Sequence, residues 1–168
     1  MTGVQTCALP ICTARVPPAT LGHDDCAERL LALLLRAIGG AAHAPAAAQV
    51  RRLLQAGHGT LGGAWWRRDG WLLREPALVA PPIEATAGAR WDGRFHLSHA
   101  RPGCLLGAVG GGSARRAALP ALWCEGTMIC AGPSESLTFR PIGGPVDAVF
   151  RPMPQLGHSP GANVTYVR

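Results

Sequence analysis

The densest basic cluster of the chain lies beside its densest aromatic cluster. The cluster comprises Arg51, Arg52, Arg67, Arg68 and Arg74, and beside it lie Trp65, Trp66 and Trp71. Arginine binds phosphate through two parallel hydrogen bonds and stacks on bases, and aromatic faces suit unpaired nucleotides. We therefore expect these five arginines to contact RNA. A purely structural interpretation stays open, because all 16 basic residues are arginine and at least two of the tryptophans are expected in the core.

Other groups that could do chemistry give weaker patterns. The run His23-Asp24-Asp25-Cys26 has metal-binding residue types, but Asp24 and Asp25 are better used as the cap and first-turn charge of a helix. His96 and His99 would share a face only on a helix, whereas their surroundings indicate a strand and a turn. No nucleophile and base can be assembled, so we predict no catalytic residue, no metal site and no bound cofactor.

The cysteines and the glycine-rich run give no site either. Among Cys12, Cys26, Cys104, Cys124 and Cys130 there is no CxxC pair, so reduced, partly buried thiols are expected. The run from Gly110 to Arg116, GGGSARR, lacks the residue order of a phosphate loop and is interpreted as a flexible connector.

Two amphipathic helices must position the first arginines. Asp24 is expected to cap a helix that runs to about Ile38 and ends at Gly39 and Gly40. Pro45 is expected to begin a second helix that Gly57 closes. Together these segments predict a helical hairpin over residues 13–57.

Short hairpins are predicted for residues 58–150. Strands at Thr60 to Arg67 and Trp71 to Glu75 would be joined at Asp69-Gly70, and Glu125-Gly126 would turn a second hairpin. Further strands are expected in ARWDGRFHL and CLLGAV, near Leu137 to Arg140 and near Val146 to Phe150, with a helical turn at Ser113 to Leu119 and an irregular tail over 151–168. The fold class is therefore α+β.

Composition and the first residues limit the protein class. Ala, Gly, Pro and Arg dominate, as GC-rich codons favour, and the longest apolar run, Leu30 to Leu35, is too short to cross a bilayer. Met1 to Ile11 resembles the in-frame translation of a sequencing-library adapter, so residues 1–12 are expected to be a disordered scar. On that interpretation the chain is a C-terminal fragment of a longer protein.

Three segments in this order resemble the C-terminal half of bacterial tRNA(Ile)-lysidine synthetase. They are RLLALLLRAIGG with the following helix that ends in RRLL, the hairpin TLGGAWWRRDGWLLREP, and the pair WDGRF and LPALW. The similarity spans roughly Ala19 to Phe150, and it departs from the family pattern at Cys124, where an acidic residue usually follows LPALW.

The resemblance implies a cytoplasmic ligase that uses ATP and Mg to attach lysine to the wobble cytidine of the CAU-anticodon tRNA(Ile). Its chemistry would lie in an N-terminal ATP-pyrophosphatase domain with an SGGxDS loop, which this sequence lacks. The chain itself would bind and orient tRNA(Ile) and would be inactive alone. Two alternatives stay open: a stand-alone, non-enzymatic RNA-binding module, and a truncated product without function.

Overall fold

The computed structural model describes residues 13–134 and 136–141, which form an α+β fold as the sequence predicts. Its helices are α1 (Pro18–Leu21), α2 (Asp25–Gly39), α3 (Ala47–Ala56) and α4 (Ala114–Ala117), with a 3₁₀ turn at Pro76–Leu78. Its strands are β1 (Ala14–Arg15), β2 (Gly59–Leu61), β3 (Ala64–Trp66), β4 (Trp71–Arg74), β5 (Ile83–Glu84), β6 (Arg90–Trp91), β7 (Phe95–Leu97), β8 (Cys104–Ala108), β9 (Pro120–Cys124), β10 (Thr127–Ala131) and β11 (Leu137–Phe139).

Helices α2 and α3 form the predicted helical hairpin. The Asp24 carboxylate accepts a hydrogen bond from the Ala27 backbone N–H at 2.8 Å and so satisfies one free donor at the start of α2. Gly40 ends α2 in the left-handed conformation, with φ 69°. Helix α3 begins at Ala47, two residues later than a start at Pro45 would give.

The predicted first hairpin is a three-stranded meander. Gly62 and Gly63, with φ 60° and 79°, make a turn where a continuous strand from Thr60 to Arg67 was expected, so this prediction is wrong. The turn at Asp69-Gly70 is present, with a positive φ only at Gly70. Strand β1, which the sequence did not reveal, adds to β4 and gives a sheet in the order β1-β4-β3-β2.

The first core combines the helical hairpin with this sheet. The apolar faces of α2 and α3 pack on the inner face of the sheet, where Ala64, Trp66 and Leu72 are all fully buried. Burial of large apolar side chains supplies the main favourable free energy of such a unit. The predicted helical hairpin ends at residue 57 and the predicted strands begin at residue 58. The two segments share one continuous core, because α3 and the meander both contribute side chains to it.

The second core lies between two further antiparallel sheets, ordered β10-β9-β8-β5 and β11-β7-β6. The expected single strand in ARWDGRFHL is instead the hairpin β6–β7, turned at Asp92 and Gly93 with φ 54° and 65°. The predicted turn at Glu125-Gly126 is confirmed, with φ 51° and 77°. The second core contains Trp91, Phe95, Leu97, Leu106, Leu122 and Leu137.

A disulfide joins Cys104 to Cys124, so the expectation of reduced thiols is wrong for these two residues. They lie directly opposite each other on β8 and β9, with their Cα atoms 4.3 Å apart. Sequence spacing could not identify this pair, because it arises from the register of the two strands. Cys26 and Cys130 are free.

Several predictions lie outside the described residues: the scar at 1–12, the strand near Val146 to Phe150 and the tail at 151–168. Within the described part of the chain, none of the helices has both the length and the apolar character that crossing a membrane requires.

Candidate nucleic-acid interface

The turn between β3 and β4 projects two of the predicted arginines past the ends of the strands. The Arg67 N–H donates to the Trp71 carbonyl at 2.8 Å, and the Gly70 N–H donates to the Arg67 carbonyl at 3.0 Å, which closes the turn. Arg68 is exposed and Arg67 is half-buried. Arg67 also forms an ion pair with Asp69 at 2.9 Å.

Strand alternation places the tryptophans on two opposite faces of the sheet. Trp66 faces the first core, fully buried, and its indole N–H donates to the Val16 carbonyl at 2.9 Å. Trp65 and Trp71 are half-buried on the opposite, outer face of the sheet. The Arg67 guanidinium carbon lies 5.3 Å from the centre of the Trp65 ring, within the range of a cation–π interaction.

Two further arginines flank Trp71 on this outer face. Arg15 lies opposite Trp71 in the β1–β4 register, with its guanidinium carbon 5.9 Å from the ring centre. Arg115, at the start of α4, places its guanidinium carbon 4.4 Å from the same ring. Both arginines are exposed. We call Arg15, Trp65, Arg67, Trp71 and Arg115 the Arg–Trp face.

Sequence reasoning missed Arg15 and Arg115 because each reaches Trp71 through long-range structure. Strand β1 is only two residues long, too short for a periodic pattern. Arg115 belongs to GGGSARR, where Gly110, Gly111 and Gly112 all have positive φ and turn the chain into α4. This segment thus positions a side chain of the Arg–Trp face. The predicted helical turn at Ser113 to Leu119 is confirmed by α4, whereas the contact of Arg115 with Trp71 was not predicted.

The two helical arginines lie apart from this group. Arg51, 56% exposed, pairs with Glu28 of α2, with a second hydrogen bond at 3.0 Å between Nη2 and Oε2. The hydrogen bond from Arg51 lowers the pKa of Glu28, and the same contact raises the pKa of Arg51. Arg52 is exposed on α3.

Arg74 is not a surface residue. Its side chain is 8% exposed and donates to both carboxylate oxygens of Asp92, at 3.0 and 2.7 Å. It also donates to the carbonyls of Gly63 and Leu78. The other Arg residue at this carboxylate is Arg94, whose Nε lies 2.8 Å from Asp92 Oδ2. Arg74 therefore joins the first core to the β6–β7 hairpin and is not available to bind phosphate.

Asp24, Asp25 and His96, whose side chains are of metal-binding types, each lie in or at the start of a helix or a strand. Asp24 caps α2 and Asp25 begins it, and His96 lies on β7. Within residues 13–134 and 136–141 there is no group of three or more His, Cys, Asp or Glu side chains arranged to hold a metal ion.

Comparisons with known proteins give no relative: no family model, no curated protein and no solved structure matches this chain.

Proposed function

We propose that this chain is the tRNA-binding C-terminal part of a bacterial tRNA(Ile)-lysidine synthetase and that it holds tRNA(Ile) on the Arg–Trp face. The resemblance of its three ordered segments to that family supports the ligand. The catalytic steps, which use ATP, Mg and lysine in the cytoplasm, belong to a domain with the SGGxDS loop. This chain contributes binding and orientation.

The single observation that carries the proposal is the grouping of three arginines and two half-buried tryptophans on one sheet face. Arg15, Arg67 and Arg115 come from three separate segments and converge on the rings of Trp65 and Trp71. Arginine neutralises phosphate and stacks on bases, and tryptophan offers a flat surface to an unpaired base. The formal charge of +6 favours a polyanionic partner.

Arg68 extends this face at the turn. It is exposed, its guanidinium lies 3.2 Å from the His58 ring nitrogen Nε2, and among the described residues no carboxylate forms an ion pair with it. Because the His58 ring that accepts this hydrogen bond carries no negative charge, the positive charge of Arg68 remains available to a phosphate. Arg67 and Arg68 are therefore the residues whose reversal should most affect binding of a nucleic acid.

The double variant Arg67→Glu/Arg68→Glu tests the proposal. Its affinity for tRNA(Ile) at low salt should fall about tenfold, and the slope of log affinity against log salt concentration should become shallower by about 1.4 to 1.8, as expected for two lost phosphate contacts. Fluorescence anisotropy of labelled tRNA across a salt series gives both quantities. Arg29→Glu/Arg101→Glu, which reverses two exposed charges outside the face, is the matched control.

Three results would contradict parts of the proposal. Equal affinity and slope for wild type and the Arg67/Arg68 variant would remove the Arg–Trp face from the binding site. Equal affinity for tRNA(Ile) and unrelated tRNAs would favour a general RNA-binding module over the synthetase. With ATP, lysine and tRNA(Ile), the chain alone should release no AMP and form no lysidine, and turnover would refute the assignment of catalysis to another domain.

A further inference from the structure

A concave site borders the Arg–Trp face at the β3–β4 turn. It has a volume of about 450 Å³ and is lined by His58, Trp65, Arg67, Arg68 and Asp69, together with Gly59 and Trp66. This volume lies within the range of small-ligand sites in proteins. Its lining combines an aromatic ring, two cations and a carboxylate, which are groups that recognise the base and the phosphate of a nucleotide.

His58 fixes the position of Arg68 at one wall of this site. A guanidinium only donates hydrogen bonds, so His58 Nε2, 3.2 Å from Arg68 Nη2, is the acceptor. The hydrogen of the neutral ring then lies on Nδ1, which donates to the Ala56 carbonyl at 2.9 Å. His58 is thus a positioning residue that anchors Arg68 to the end of α3.

The charges at the turn determine how a nucleotide would lie. The Asp69 carboxylate, 48% exposed, pairs with Arg67 at 2.9 Å and accepts from the Trp71 backbone N–H at 3.3 Å. Its exposed side repels phosphate and can accept a hydrogen bond from the amino group of a base. Arg68 attracts phosphate on the side of His58. A nucleotide would therefore place its phosphate toward Arg68 and its base toward Asp69.

The Trp65 ring provides the surface for the base. It is half-buried, which holds the ring in place, and its partner over the ring is the Arg67 guanidinium at 5.3 Å from the ring centre. A base that stacks on Trp65 would take the place of this guanidinium, and Arg67 would then be released to pair with a phosphate. Trp65 would exchange the guanidinium for a base, and Arg67, which is also paired with Asp69 at 2.9 Å, would exchange the ring for a phosphate.

We propose that this site binds a single unpaired nucleotide, with its base stacked on Trp65 and its phosphate paired with Arg68. The inference rests on the proposed RNA-binding function and adds that the site distinguishes single strands from duplexes. A base in a duplex is stacked on its neighbours and cannot reach Trp65, whereas an unpaired base can.

The full chain is tested with a short RNA of cytidine and uridine that cannot pair with itself, alone and annealed to its complement. Trp65→Leu should weaken binding of the single strand about 5- to 150-fold, the range that one stacked base contributes, and should leave duplex affinity unchanged. Trp65→Phe, which keeps an aromatic face, should restore most of the single-strand affinity. Trp123→Leu, which removes an equally half-buried ring on β9 outside the Arg–Trp face, is the matched control and should not change the preference for single strands.

The outcomes separate this inference from the proposed function. If Trp65→Leu lost the same affinity for the single strand as for the duplex, the nucleotide site would be overturned. The proposal that the chain binds RNA would still stand. Absence of binding to the single strand by wild type would overturn the nucleotide site, whereas absence of binding to tRNA(Ile) would overturn the proposed function and this inference with it. If Trp65→Leu does not fold, fluorine NMR of wild type labelled with 5-fluorotryptophan provides the test. The Trp65 resonance, assigned by comparison with Trp65→Phe, should shift when the single strand is added and not when the duplex is added. A resonance that does not move with the single strand would refute the site.

Discussion

Replacing Asp92 by Asn should remove more stability than any exposed charge substitution in this protein. The Asp92 carboxylate is 1% exposed and accepts hydrogen bonds from Arg74, from Arg94 and, at 3.0 Å, from the Ala80 backbone N–H. Asparagine keeps the size of the side chain and tolerates the left-handed backbone at φ 54°. The substitution therefore isolates the loss of the negative charge that two buried guanidinium groups require.

The expected cost follows from the burial of both cations. Arg74 and Arg94 are 8% and 1% exposed, so water cannot replace the lost carboxylate. Breaking a buried ion pair by removing one partner costs about 3–5 kcal/mol. For a chain of this size that cost lowers Tm by about 6–20 °C.

Urea unfolding followed by circular dichroism measures this loss. Asp69→Asn is the matched control, because it removes the same charge from an exposed pair with Arg67, 2.9 Å apart, that is worth less than about 1 kcal/mol. A loss in Asp92→Asn no larger than that of Asp69→Asn would refute the view that Asp92 holds the two cores together.

Three further predictions follow from single contacts. The disulfide between β8 and β9 closes a loop with a sequence separation of 20, so its reduction should lower the free energy of unfolding by about 3 kcal/mol. Urea titrations with and without reductant measure this difference, and equal midpoints would contradict it. Gly93→Ala should destabilise the fold more than Gly88→Ala, because both have positive φ but only the Gly93 methyl would lie 2.0 Å from the Gly40 carbonyl oxygen; equal thermal shifts would show that backbone conformation alone matters. The hydrogen bond from Arg51 lowers the folded-state pKa of Glu28. The contribution of this ion pair to the free energy of unfolding is therefore present above the unfolded-state pKa of Glu28 and is lost as pH falls through its folded-state pKa. Urea midpoints of wild type and Glu28→Gln should therefore converge in acid, and a constant difference across pH would contradict the ion pair.

Local signals in the sequence were sufficient for the helical hairpin and for the turns at Asp69-Gly70 and Glu125-Gly126. The Asp24 cap and the left-handed Gly40 fix the ends of α2 through neighbours in the chain, so both could be identified without a partner segment. The turn at Glu125-Gly126 is indicated by a glycine that adopts positive φ freely, placed between two apolar runs. Gly62-Gly63 carries the same kind of signal, and the predicted continuous strand from Thr60 to Arg67 did not take it into account.

The candidate site depended on contacts that local signals do not contain. The burial of Arg74 could not be predicted, because strand alternation does not reveal Asp92, which is 18 residues further along the chain. The contact of Arg115 with Trp71 could not be predicted either, because it requires α4 to lie against β4. Both contacts have the same origin, since burial and pairing across two cores are properties of the assembled fold.

The junction between the cores therefore determines whether the Arg–Trp face exists. Four of its members belong to the first sheet or its turn, whereas Arg115 comes from the chain that connects β8 to β9 of the second core. Arg94 strengthens this link, because its Nη2 donates to the Ala118 carbonyl, one residue past α4, at 2.8 Å. The same Asp92 network thus orders the second core and holds α4 close to Trp71. An RNA that contacts Arg15 and Arg115 together would bind only when α4 lies against Trp71 of the first sheet. Its binding would therefore stabilise the junction between the two cores through mass action.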